Sequence, residues 1–172
     1  MFAVDQQRAG IGDVDVVKVG DTYHLFHLFL PNHAYIAHAV SKDGLSWTRV
    51  RNALFVGDPG AWDDDMLWTM HVTPDPDKPG SWRMFYTGLA RRDRGDVQRI
   101  GLARSADLRR WHKVADCWRS VSGPRDTGME GVSSRYDPDS HFPLAAAAPH
   151  YESSVDEGRH WVSFRDPFYY RD

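Results

Sequence analysis

A segment near the middle of the chain repeats one near its start. Ile36, Ala39, Ser41, Asp43, Trp47 and Val50 recur as Ile100, Ala103, Ser105, Asp107, Trp111 and Val114, at one offset throughout (100 − 36 and 114 − 50 both give 64) and without a gap. A repeat of this size marks a structural unit that cannot bury its apolar face alone and stacks on a copy of itself. Two unrelated hairpin pairs in a sandwich would not hold a constant offset.

Each unit reads as four short antiparallel strands. Val16-Val17-Lys18-Val19 is β-branched, Gly20-Asp21 supplies a tight turn, and Thr22 to Phe29 returns. Pro31-Asn32 breaks that strand, Ala34 to Val40 forms a third, Lys42-Asp43-Gly44 turns, and Trp47 to Val50 is a fourth. In the second unit Leu67 to Val72 takes the place of the first strand, and Trp82 to Tyr86 that of Tyr23 to His27, across a Pro-rich loop at Pro74 to Gly80. The expected fold is all-β, a partial β-propeller with one blade over about 12–50 and a second over about 65–115. Residues 116–158 carry too much Gly, Pro and Asp for strands and read as an excursion, with a short helical turn at Ala145 to Ala148 bounded by Pro143 and Pro149. A third blade is expected to begin within 159–172.

Composition narrows the function. With net charge −3 and interspersed signs there is no basic stripe for nucleic acid and no polybasic segment for a membrane surface. No window approaches the roughly 18 apolar residues of a membrane span, and the first twelve residues lack the pattern of a secretion signal. As written, the chain reads as cytoplasmic; a start further upstream would hide a signal peptide, and with it a secreted or periplasmic destination. Cys117 stands alone, so neither an intrachain disulfide nor a zinc site is expected. Seven Trp, seven Tyr and eight Phe suit a β-rich core first, and carbohydrate-stacking surfaces second.

Two stretches carry a resemblance. Gly12-Asp13-Val14-Asp15 through Gly20-Asp21-Thr22-Tyr23 resembles the first-blade motif of the five-bladed propeller glycosidases, the superfamily of glycoside hydrolase families 43, 32 and 68. Phe164-Arg165-Asp166-Pro167-Phe168 looks like their third-blade Arg-Asp-Pro motif. The Asn-Asp-Pro-Asn-Gly signature of family 32 is absent, Val14 standing where many relatives have Pro. The resemblance implies a hydrolase of O-glycosyl bonds in oligo- or polysaccharides. It makes Asp13 the nucleophile in a retaining enzyme or the general base in an inverting one, and Asp166 the carboxylate that steadies the transition state. Asp64, Trp68 and Arg165 are the candidate sugar contacts, with His33 the best substrate candidate among the histidines because it follows a loop break; neither metal nor cofactor is expected. The resemblance places the acid/base Glu in the blade after the Arg-Asp-Pro motif, so that Glu130, Glu152 and Glu157 do not match it.

The chemistry explains the residue types. Glycoside cleavage passes through an oxocarbenium-like state, so one carboxylate attacks or activates water while a second carboxyl protonates the leaving oxygen. A third holds hydroxyls and biases its neighbours. Bland alternatives stand beside these: Asp13 as a turn acid, Asp166 as a local partner of Arg165, and Asp63-Asp64-Asp65 as a solvated run. His24, His27, His33 and His38 read as core or funnel histidines, because His24 and His27 fall on opposite faces of a strand. Competing with the enzyme reading are a non-catalytic carbohydrate-binding module and an inactive truncated product, whose open blade edge would favour self-association.

Overall fold

Nine strands in two antiparallel sheets account for about half of the chain that the structure, a computed structural model, describes: residues 10–114, 141–142 and 161–170. In the first sheet β1 (Gly10–Val19), β2 (Thr22–Leu30), β3 (Tyr35–Ser41) and β4 (Thr48–Arg49) follow in order, and a two-residue β5 (Leu54–Phe55) pairs with the far end of β3. The second sheet runs β6 (Met66–Pro74), β7 (Trp82–Leu89), β8 (Arg99–Ser105) and β9 (His112–Lys113). These are antiparallel meanders of the size of propeller blades, and no α-helix occurs among the described residues. The expected excursion over 116–158, with its Ala145 to Ala148 turn, lies outside the described residues apart from 141–142.

Register turns the sequence repeat into a structural equivalence. Tyr23 faces Ser41 and His27 faces Ala37 in the first sheet, while Trp82 faces Ser105 and Tyr86 faces Gly101 in the second. Both blades also close their last hairpin in the same way. Ser41 Oγ accepts from the Asp43 and Gly44 amides, and Asp43 Oδ1 accepts from Leu45 and Ser46. In the second blade Ser105 Oγ accepts from Asp107, and Asp107 Oδ1 accepts from Arg109 and Arg110. These amide bonds favour the ionised carboxylate and hold Asp43 down to about 2, with Asp107 lowered for the same reason. The Ser-x-Asp repeat is therefore a turn requirement. The residue after each Asp is left-handed, Gly44 at φ 74° in one blade and Leu108 at φ 61° in the other.

The sheets stack face to face. Phe26, Leu28 and Ile36 of the first meet Leu67, Met70, Met84, Tyr86 and Trp111 of the second, with the Trp111 ring edge-on to Phe26 at 5.6 Å. Trp62, from the segment joining the blades, enters the same core. Its ring occupies the space that a Cβ would need at Gly88 and Gly101, and it stacks on Tyr86 at 5.5 Å. The opposite face of the second blade is covered too, by Phe164 and Tyr169 against Phe85, Ile100 and Leu102. The outer face of the first blade leaves Ile11, Val14 and Val16 exposed. Under the Pro-rich loop, buried Arg83 is neutralised by Asp75 at 2.9 Å and Asp77 at 2.7 Å, which fixes the β6–β7 connection.

One polar pair sits inside this interface. His24 Nδ1 and His38 Nε2 lie 3.0 Å apart, one donating and the other accepting, and His38 stacks on Phe26 at 4.5 Å. Burial first, then the His24 ring and the Arg109 guanidinium, push His38 from 6.5 down to about 4, against the pull of Asp107; burial and Arg109 lower His24 likewise. The folded pair therefore binds fewer protons than the unfolded chain between pH 6.5 and 4. Stability from His38, fully present above pH 6.5, is lost as pH falls to about 4, a difference on the order of 3 kcal/mol. Urea unfolding followed from pH 7.5 to 4.5 should show the midpoint falling with pH, and His38→Phe, which keeps the stacking, should flatten that fall.

Candidate active site

Strands β1 and β6 carry the same irregularity. Pairing jumps from Gly12–Leu28 to Val14–His27 in the first blade, and from Trp68–Thr87 to Met70–Tyr86 in the second, so Asp13 and Thr69 are each an unpaired bulge residue. A bulge re-aims its side chain relative to the strand's alternation, and here the two meet: Thr69 Oγ1 donates to Asp13 Oδ2 at 2.5 Å. Two positions on, Asp15 Oδ2 accepts the Val72 amide at 2.5 Å and lies 3.3 Å from His71 Nδ1. Each blade's first strand thus offers its free edge to the other, and side chains from β1 tie the edges together.

Residues 161–170 bring a third segment to the same place. Val162 donates its amide to Asp96 and accepts from Gln98, and Phe164 is buried against the second blade. This anchoring sets Asp166, whose amide donates to Thr87 Oγ1 at 3.2 Å. Thr87 is the cross-strand partner of Trp68, the residue before the Thr69 bulge. Asp166 adopts φ 58°, a left-handed conformation uncommon for a non-glycine residue, and its carboxylate is 60% exposed with Arg165 Nε at 3.3 Å. Arg165 also donates to Gln98 at 3.4 Å. Further along, the Phe168 ring lies 4.4 Å from that of His71.

His33 and Trp68 belong to this neighbourhood. The His33 carbonyl accepts the Leu67 amide at 2.8 Å, and the two rings lie 6.2 Å apart. His33 Nδ1 and Trp68 Nε1 are both shielded from solvent with no hydrogen-bond partner among the described residues. Asp64 is buried, its Oδ2 accepting from Gly60 and its Oδ1 from Arg91, which tethers the inter-blade loop. The acidic run is not solvated as expected. Asp63 is 2% exposed because Lys113, at 2.5 Å, and the Tyr86 hydroxyl, at 3.0 Å, reach it across the blade core.

Thr69, Asp15, His71 and Phe168 were not singled out by the sequence reading. A signal existed for three of them, since aligning the two first strands sets Thr69 on Asp13 and His71 on Asp15, and 69 − 13 and 71 − 15 both give 56. Equivalent residues of adjacent inner strands are the ones that touch.

Two blade-sized antiparallel sheets whose first strands converge, with an exposed carboxylate at the bulge of one and a threonine at the bulge of the other, make a partial β-propeller. Residues 14–130 match the glycosyl hydrolases family 32 N-terminal domain, and the chain belongs to that family, although its first motif lacks the Asn-Asp-Pro-Asn-Gly signature. The matched segment covers both blades; it begins one residue after Asp13 and ends before Asp166. Among solved structures, an exo-beta-1,3-galactanase from Phanerochaete chrysosporium with galactose aligns over 60% of this chain at 14% identity and a TM-score of 0.51, which supports the propeller fold. A fructofuranosidase from Schwanniomyces occidentalis complexed with fructose aligns over 60% of the chain and 22% of its own length, at 18% identity and a TM-score of 0.47. The chain spans 25% of the galactanase. No curated protein matches it.

The Asp15 tie is open to a direct test. Asp15→Ala removes the acceptor of the Val72 amide and the partner of His71, and should lower unfolding free energy by about 1–3 kcal/mol. Chemical denaturation of the variant checks it; an unchanged midpoint would show that the inner edges need no such link.

Proposed function

We propose that this chain contributes two carboxylates, Asp13 and Asp166, to a centre that hydrolyses glycosidic bonds of oligo- or polysaccharides. The observation that carries the reading is the bulge at Asp13. It exposes a carboxylate on the inner edge of the first blade and engages Oδ2 with Thr69, leaving Oδ1 without a hydrogen bond among the described residues. A carboxylate held by one oxygen is oriented for the other to attack an anomeric carbon or to draw a proton from water. Asp166, with Arg165 beside it, supplies negative charge facing an oxocarbenium-like state and acceptors for sugar hydroxyls. Trp68 and His33 form the adjoining wall, where a flat indole suits the apolar face of a sugar ring. Protonation of the leaving oxygen requires a further carboxyl group, and Glu130, Glu152 and Glu157 all lie outside the described residues. The exposed Ile11, Val14 and Val16 face supports self-association of the chain at raised concentration, which sedimentation would register as a concentration-dependent mass.

Hydrolysis of a panel of aryl glycosides and neutral oligosaccharides tests the proposal. With a substrate that turns over, Asp13→Asn should lower kcat by about 10²–10⁴-fold with the fold intact. Asp166→Asn should depress kcat/KM, and Asp64→Asn should affect stability more than kcat. Wild-type turnover by Asp13→Asn would overturn the assignment. Saccharide binding without turnover of any substrate would favour a carbohydrate-binding module instead.

A further inference from the structure

A second candidate site lies away from the inner strands, on the outer seam between the blades. A groove of about 390 Å³ runs between the 51–55 segment of the first blade and the 109–113 segment of the second. That volume is within the range of about 300–1,000 Å³ usual for small-ligand pockets. Its lining is cationic: Arg51, Arg109, Arg110 and Lys113, with His112. Lys113 is neutralised by buried Asp63. The three arginines are exposed and none has an ion pair within 4 Å among the described residues. The carboxylate nearest in sequence, Asp107, accepts the backbone amides of Arg109 and Arg110 to build the turn and also feels the Arg110 charge, which leaves Arg51 and Arg109 as the less compensated pair. Asn52 and the exposed Phe55 border the same groove, and Trp111 closes its floor.

The fold does not call for these charges. The equivalent turn of the first blade makes the same Ser and Asp hydrogen bonds with Leu45 and Ser46 where the second blade has Arg109 and Arg110. The first turn's one cation, Lys42, is paired with Asp21, so positive charge gathers at the copy of the turn that faces Arg51, in a chain whose net charge is −3. Guanidiniums around one groove repel each other, and an anion between them relieves that repulsion while gaining bidentate hydrogen bonds. The groove exceeds what a bare ion fills, and it pairs its cations with an aromatic side and an amide. Those are the elements that hold a sugar ring bearing an acidic group.

We propose that this groove binds an acidic saccharide through its carboxylate or sulfate, independently of the Asp13 centre. The test is calorimetric titration of the 172-residue chain with a galacturonate trisaccharide, a sulfated trisaccharide, a neutral galactose trisaccharide and inorganic sulfate, at low and at raised salt. Acidic trisaccharides should bind at least about tenfold tighter than the neutral one, and lose that advantage as salt rises. Arg51→Glu/Arg109→Glu should weaken the acidic ligands by about tenfold or more, and Arg51→Gln/Arg109→Gln by less, with melting curves unchanged at pH 7.5, above the range in which His24 and His38 take up protons. Asp13→Asn should bind them as the parent does, so the groove and the glycoside-cleaving centre can fail separately. Equal affinity for neutral and acidic sugars, indifference to the arginine changes, or loss of binding in Asp13→Asn would each overturn the proposal. So would inorganic sulfate binding as tightly as the sulfated sugar, which would reduce the groove to a site for a small anion.

Discussion

A four-stranded sheet with apolar side chains on both faces has to be covered twice, and the second blade shows how this chain meets that demand. One face receives Phe26, Leu28 and Ile36 from the first blade, and the other receives Phe164 and Tyr169 from the 161–170 segment. Stacking on both sides fixes the spacing of three successive segments, and the geometry of the candidate site follows from it. Trp62 reinforces the arrangement because Gly88 and Gly101 leave room for its ring, so the linker between blades becomes part of their common core.

Stacking alone would leave the inner strands as unpaired edges, a liability in any open sheet. Asp13 and Asp15 answer it with side chains, one bonded to Thr69 and the other to the Val72 amide and His71. The same contacts that manage the edge also orient a carboxylate at a bulge. Neighbours on one strand are therefore engaged differently: Asp15 is held on the edge of the second blade by the Val72 amide and His71, and Asp13 is held through one oxygen, the other having no hydrogen bond among the described residues.

Much of the fold was legible because its signals are local or periodic. Alternating apolar residues, the Gly20-Asp21 turn and the 64-residue offset each report on a strand or on a copy of one, and the registers of β3 and β8 agree with that offset. Burial of Asp63 and Asp64 was not legible, since a run of three acids is judged polar until its partners are known. Lys113 lies 50 residues from Asp63, and the Arg91 amide 27 from Asp64. Asp13 and Asp166 were nominated through motifs, whereas Thr69 and His71 emerge only once two strands are superposed and their bulges matched. Leu54–Phe55 pairing with β3 was likewise invisible, because Arg51-Asn52 interrupts the run before it.

The two outer turns share their Asp hydrogen bonds, and one of their sequence differences falls on the left-handed residue. Gly44 takes a left-handed conformation without steric cost, whereas Leu108 takes it against the preference of a branched side chain and is 2% exposed in the core shared by the two blades. The first turn can close on its own sequence. The second is held in shape by what its leucine buries against, so the outer corner of one blade is conditional on the presence of the other. Cooperativity between these repeats thus resides in a backbone angle as well as in the apolar area between them, and the arginines of the outer groove flank that angle.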